Sequence, residues 1–272
     1  MTAPAITARQ GRSAPVMTAH QIRYDLRVFL RDPAARVFTF IMPVLLLLLY
    51  CSIFGTSKFS DGGQAISGRE YFVPRIIAQG ITGAALTNLV YVVVTKRENG
   101  ALKRRRATPV RAWMLITSEV ATSILSAVAI VTALVLIAWF AYGVHLTGAQ
   151  TAEVAGATLL GTAAMCALGF AVTTFIPSAE SAGPGVTLVT FLLFAISGVY
   201  FPETLLPGWV RDVAQVFPIR PLALAVQNAY APASGHPGQI ALQFLELAAW
   251  GVGGIMIASR RFSWVPRVET DH

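Results

Sequence analysis

Charge is scarce in this chain of 272 residues. Only 12% are Asp, Glu, Lys or Arg, whereas 55% are apolar. Soluble domains carry about 25% charged residues, so a water-soluble fold of this length is excluded. Cysteine is almost missing: Cys51 and Cys166 both fall inside apolar runs. No cysteine pair has ligand spacing, which excludes a disulfide framework and a thiolate metal centre. Both read as small buried hydrophobes. The four histidines, His20, His145, His236 and His272, are scattered without metal-type spacing. A phosphate-binding G-x-x-x-x-G-K-[ST] loop is absent, and Gly55-Thr-Ser-Lys58 has the wrong spacing for one. The chain therefore carries no nucleotide site of its own. The formal charge of +8 raises nucleic acid as a partner. That reading fails because Lys and Arg stand at the ends of apolar runs, not on a soluble face with aromatic platforms.

What the chain does have is long apolar runs. Six are long enough to cross about 30 Å of hydrocarbon at 1.5 Å per residue. They lie near Arg36 to Gly55, Tyr71 to Thr95, Trp113 to Tyr142, Ala152 to Ile176, Pro184 to Phe201 and Ile240 to Ser259. The first starts too late and runs too long for a signal-peptide core, so it is expected to stay in the protein. Residues 1–17, rich in Ala, Pro, Thr and Arg, read as a disordered tail. Residues 18–32 read as an amphipathic interface helix with Ile22, Leu26, Phe29 and Leu30 on one face; Arg23, Asp25, Arg27 and Arg31 are expected elsewhere around it. Asp32-Pro33 ends that helix. The membrane domain then occupies residues 33–262, and residues 263–272 form a tail. Thr56 to Glu70, polar and Gly-rich, is expected to be an outer loop.

Positive charge sets the orientation. With the N-terminus inside, 16 of the 21 Lys and Arg are cytoplasmic, and only Lys58, Arg69, Arg75, Arg211 and Arg220 are outside. This asymmetry predicts a multi-pass protein of the inner (cytoplasmic) membrane with both termini cytoplasmic and no positive charge deep in a span.

Two segments are neither span nor plain loop. Phe201 to Ala233 mixes apolar Leu205, Leu206, Trp209, Val210, Val213, Val216 and Phe217 with Glu203, Arg211 and Asp212, punctuated by Pro202, Pro207 and Pro218. It reads as short helices that dip into the outer leaflet and return, against the alternative of an interfacial loop anchored by Trp209. Lys96 to Arg111 is short, basic and cytoplasmic. A topology signal needs only Lys and Arg, so Glu98, Gly100 and Thr108-Pro109 point to a docking element.

These segments carry a resemblance. Arg97-Glu98, Gly100, Leu102 and Arg106-Ala-Thr-Pro-Val110 resemble the cytoplasmic loop of type-2 ABC-transporter permeases. Ser197-Gly-Val-Tyr-Phe-Pro202, Leu206-Pro-Gly-Trp209 and Phe217-Pro218 are similar to that family's stretch before its last span. The resemblance implies an all-α membrane protein of six transmembrane helices, with an N-terminal interface helix and a re-entrant segment before the last span. It implies a dimer, with a second permease copy or a related permease. It also implies two copies of a separate P-loop ATPase that bind ATP and magnesium, with no cofactor in this chain and no enzymatic role for it. Coupling to the ATPase would fall to Arg97, Glu98, Gly100, Leu102, Arg106, Thr108 and Pro109. An outer re-entrant gate would involve Phe201, Pro202, Pro207, Trp209 and Phe217. Two departures stand out: Lys103-Arg-Arg-Arg106, where the family commonly has an acidic and an apolar residue, and Glu119, near a place where a basic residue is common.

The residues themselves suggest a path. Gln79, Thr82, Gly83 and Thr87 share one side of the second span. Gly183, Thr187, Thr190, Phe194 and Ser197 share one side of the fifth. Such stripes face protein or water more readily than lipid, and ordinary close helix packing is the plainer reading. Glu119 and Glu246 lie about two turns inside their spans, where a carboxylate is either functional or paired. The expected function is export of a hydrophobic or amphiphilic substrate such as a drug, antibiotic or lipid, powered by the partner ATPase. The alternative is an ion-gradient-driven secondary transporter, although no repeat relates the two halves. A membrane-embedded enzyme would need a catalytic cluster that three isolated glutamates on different spans, Glu119, Glu153 and Glu246, do not supply.

Overall fold

The computed structural model describes residues 14–61, 64–99, 112–201, 206–230 and 237–261. Helix α1 (Ala14–Arg31) precedes a short turn, Pro33–Arg36. Six helices of spanning length and apolarity follow: α2 (Val37–Phe54), α3 (Gly68–Glu98), α4 (Ala112–Tyr142), α5 (Gly148–Thr173), α6 (Ala179–Ile196) and α9 (Pro237–Arg261). Between α6 and α9 lie α7 (Gly208–Gln215) and α8 (Ile219–Tyr230). The chain is an all-α multi-pass membrane protein. Helix α1 begins at Ala14, so residues 14–17, expected in the tail, are helical; the rest of the expected tail, residues 1–13, lies outside the described residues.

The segment expected to be a loop contains a hairpin. Strand β1 (Lys58–Asp61) pairs antiparallel with β2 (Gln64–Ser67), placing Phe59 opposite Ile66. Phe59 packs against Tyr71 and Phe72 at ring distances of 5.3 and 5.5 Å, which joins the hairpin to the start of α3. Ser67 ends β2 and caps α3. Its hydroxyl accepts from the Glu70 N–H while the Glu70 carboxylate accepts from the Ser67 N–H, satisfying two donors a helix start leaves orphaned.

Helices α3 and α5 form the centre. In their most apolar stretches 72% and 61% of residues are buried, against 17% for α9 and 22% for both α2 and α6. Apolar residues do not sort inward from lipid as they do from water, so close backbone approach holds such a centre together. Helix α9 crosses α5 at Gly251 and Gly254. A Cβ on Gly254 would lie 2.7 Å from the Ala167 carbonyl carbon, and one on Gly251 would lie 3.4 Å from the Ala164 Cα. Gly161 of α5 likewise makes room for Leu222 of α8, whose Cδ1 would stand 2.4 Å from an added Cβ.

Helix α8 is therefore no surface loop. Ile219, Leu222, Ala223, Ala225, Val226 and Ala229 are all buried, and the helix packs between α3, α5 and α9. Asn228 donates its side-chain N–H to Gln243 Oε1 of α9 at 3.0 Å, a buried amide pair that ties the two helices together.

Two helices widen locally to π geometry, with i→i−5 hydrogen bonds: Met42 N–H to Val37 O in α2, and Asn88 N–H to Gly83 O in α3. In α2 the cause is Pro43, whose ring would crowd the Thr39 carbonyl in a regular α-turn.

Candidate functional site

The two widened turns face a common cleft. It has a volume of about 640 Å³ and lies between α2, α3 and α6. From the end that carries Asp32 it runs past Phe38, Met42 and Tyr91, then Gly83, Thr87 and Thr187, to Tyr50, Gln79, Phe194, Tyr200 and Phe201. Of the residues expected on the path, Gln79, Thr87, Thr187, Thr190 and Phe194 line this cleft, as does Gly183. Thr82 and Ser197 do not. Thr82 is fully buried and returns its hydroxyl to the Ala78 carbonyl at 2.9 Å, and Ser197 is buried at the end of α6. The contribution of α2, through Phe38, Thr39, Met42, Leu46 and Tyr50, was not foreseen, because its run of leucines shows no polar stripe.

The far end of the cleft is closed by the turn after α6. Gly198 takes a left-handed φ of 76°, which reverses the chain and lets Val199 N–H bond back to the Phe194 carbonyl at 3.2 Å. Three side chains staple this turn. Tyr50 donates to the Tyr200 carbonyl at 3.1 Å, Tyr71 to the Gly198 carbonyl at 3.4 Å, and Gln79 Nε2 to the Tyr200 hydroxyl at 3.0 Å. Burial and the neighbouring Tyr50 push the Tyr200 phenol up to about 12, so it stays protonated at any working pH. Phe201 is half-exposed at the cleft rim. Trp209 and Pro207 stand exposed at the start of α7, and Phe217 is partly buried between α7 and α8. Pro202 lies outside the described residues.

Beside this end stands Arg75, which the charge count placed on the outer side. It sits seven residues into α3 and is 1% exposed. Its guanidinium lies 3.5 Å above the Tyr71 ring and donates to the Tyr71 carbonyl at 3.2 Å and to Gln227 Oε1 of α8. A buried cation is held by such hydrogen bonds and by the face of an aromatic ring. Arg75 thus ties α3 to α8.

At the opposite end, the stem of the basic loop is anchored on three sides. Lys96 donates to Asp25 Oδ1 of α1 at 2.9 Å and to Glu119 of α4. Asp25, only 5% exposed, also accepts from Ser118 of α4 and from Gln21, each at 2.8 Å. Asp25 was expected away from the apolar face. It in fact shares the face of Ile22 and Phe29 by the i, i+3, i+4, i+7 rule, and that spacing was readable. Glu119 is an ion-pair partner. Glu246 is exposed on α9.

The next residue, Arg97, is also buried. Its guanidinium donates to the carbonyls of Thr173, Ile176 and Pro177 at 3.1, 2.5 and 3.3 Å, filling acceptors that the end of α5 leaves open. Among the residues expected to couple, Arg97 therefore faces inward and Glu98 is partly exposed, whereas Gly100, Leu102, Arg106, Thr108 and Pro109 lie outside the described residues.

A search of the curated proteins returned no match. The family model described as ABC-2 type transporter matches residues 20–230, which takes in α1, five of the six spans, the basic loop and the α7–α8 pair. With that match over most of its length and six spanning helices, the chain belongs to the ABC-2 type transporter family and is an ABC-transporter permease subunit.

Proposed function

We propose that this chain is the membrane half of an ATP-driven exporter of hydrophobic or amphiphilic cargo in the cytoplasmic membrane. Both termini and the loop after α3 face the cytoplasm. Two permeases, identical or related, assemble with two copies of a P-loop ATPase that binds ATP and magnesium. The α7–α8 pair occupies the outer leaflet, and with the Tyr200 turn it forms the outer gate.

The observation that carries this reading is the three-way anchorage of the loop stem. A lever is useful only if its fulcrum is stiff. Lys96 and Arg97 are consecutive residues, yet they join α3 to α1, α4 and the end of α5 at once. A push on residues 98–111 would move all four elements as one body, and α3 also walls the cleft. ATP-driven closure of two motor subunits is the kind of displacement such a body could convert into opening at the Tyr200 turn. The cleft supports the cargo class: it opens sideways between α2 and α6, helices whose remaining surface is mostly exposed and apolar. A second permease laid against these helices would enclose a path between the two copies.

The test is whether the tagged chain co-purifies with a P-loop ATPase, followed by transport of a fluorescent amphiphile in inside-out vesicles. Accumulation that needs ATP and both polypeptides supports the proposal. Accumulation driven by an ion gradient without ATP supports a secondary transporter instead.

A further inference from the structure

Gln79 stands out among the side chains along the cleft. It is only 7% exposed, and its amide is held at one end: Nε2 donates to the Tyr200 hydroxyl at 3.0 Å. Its other end, Oε1, is buried and has no hydrogen-bond partner among the described residues. A buried carbonyl oxygen left unpaired is costly, and native structures leave few of them without a reason. The Tyr200 phenol stays protonated and so remains a fixed partner for the amide.

The surroundings define what could satisfy that oxygen. Tyr50, Phe194 and Tyr200 line the same end of the cleft, and they offer flat apolar surface. Among the described residues that line the cleft there is no Lys or Arg, so none of them would compensate a carboxylate, sulfate or phosphate. Thr190, also on the wall, already spends its hydroxyl proton on its own helix, donating to the Val186 carbonyl at 2.7 Å.

We infer that Gln79 is the specificity-determining residue of the cleft, and that its amide oxygen accepts a hydrogen bond from a cargo with an apolar or aromatic body and a neutral donor such as a hydroxyl. Anionic amphiphiles are poor cargo on the same grounds. The inference rests on the proposal that the cleft is the cargo path, and it names the class of cargo.

The experiment is equilibrium binding to the purified full chain in lipid nanodiscs, with empty nanodiscs subtracted. The probes are three amphiphiles that share one body: 4-dodecylphenol, its methyl ether 4-dodecylanisole, and 4-dodecylbenzenesulfonate. The phenol is expected to bind about tenfold more tightly than the ether, with the sulfonate weakest. Gln79→Leu should abolish the phenol preference. Gln79→Glu, nearly the same shape and still an acceptor, should keep it and weaken the sulfonate further. Equal binding of phenol and ether to the native chain, a preference that survives Gln79→Leu, a sulfonate that binds best, or no binding of any probe would each overturn the inference. Since the assay contains neither ATPase nor ATP, it is separate from the coupling test. Coupled transport with no donor preference removes this inference alone, and a donor preference without coupled transport removes only the exporter reading.

Discussion

Replacing Lys96 by Met probes the loop anchorage most sharply. Methionine keeps the length and apolar stem of the side chain and removes only the charge. The Lys96 side chain is 23% exposed, and those of Asp25 and Glu119 are 3% and 12% exposed. Breaking a mostly buried ion pair by deleting one partner costs about 3–5 kcal/mol, because the other charge is left uncompensated. Here two carboxylates are left facing each other, while Ser118 and Gln21 still donate to Asp25. Those two hydrogen bonds, together with water reaching the partly exposed lysine position, put the expected loss at the lower end, about 3 kcal/mol. For a chain of this size that corresponds to a fall of roughly 6–12 °C in apparent melting temperature, readable by size-exclusion chromatography after heating in detergent. Adding Glu119→Gln should recover part of the loss, since one of the opposed carboxylates is gone, and the double variant should differ from the sum of the singles by about 1 kcal/mol or more. A Lys96→Met protein that melts with the native chain, or strict additivity in the cycle, would show that the anchorage carries no weight.

Four further outcomes follow. Gly254→Leu should part α9 from α5 and cost about 1–3 kcal/mol, because the added atoms meet Ala167 backbone that cannot yield; unchanged thermal stability would argue against that crossing. Arg75→Leu should destabilise the chain by about 3 kcal/mol, since it strips Gln227 of a charged donor inside the protein, whereas Arg75→Lys should recover part of that loss; equal stability of all three proteins would contradict the tie between α3 and α8. Bulky replacements at Thr187 or Thr190 should alter cargo efflux or the yield of dimer, and normal values for both would take these residues off the path. Replacing Glu98 or Gly100 should lower transport per ATP hydrolysed while expression stays normal, as quantitative turnover assays on the co-purified complex would reveal.

The spans were legible because each is a long apolar run holding at most one charged side chain, and length against bilayer thickness decides such a case. Their ends moved by a few residues for local reasons. Helix α6 starts at Ala179, five residues before Pro184, because Ser178 caps it, its hydroxyl accepting from the Ser181 N–H. It stops at Ile196 because Gly198 reverses the chain. Long-range pairing was harder to read. Nothing local to Arg75 announces Gln227, which lies 152 residues away, and the charge count placed it outside. Nor does the leucine run of α2 show that one of its faces walls a cleft. The polar stripes on α3 and α6 did point to the cleft through Gln79, Thr87, Thr187 and Thr190, but helical angle alone could not separate those lining residues from Thr82, whose hydroxyl its own helix takes up. Asp25 was within reach: it sits on the apolar face of α1, and a carboxylate there asks for a cation such as Lys96.

We propose that energy enters the permease through the loop after α3, from a separate ATPase. Proteoliposomes holding the purified chain, with and without the co-purified P-loop ATPase, test it most directly by the ATP-dependent uptake of a fluorescent amphiphile. Uptake is expected only when the ATPase and ATP are both present, and is expected to be lost in Lys96→Met at a temperature where the variant is still folded. Uptake by the chain alone, with no nucleotide, would contradict it.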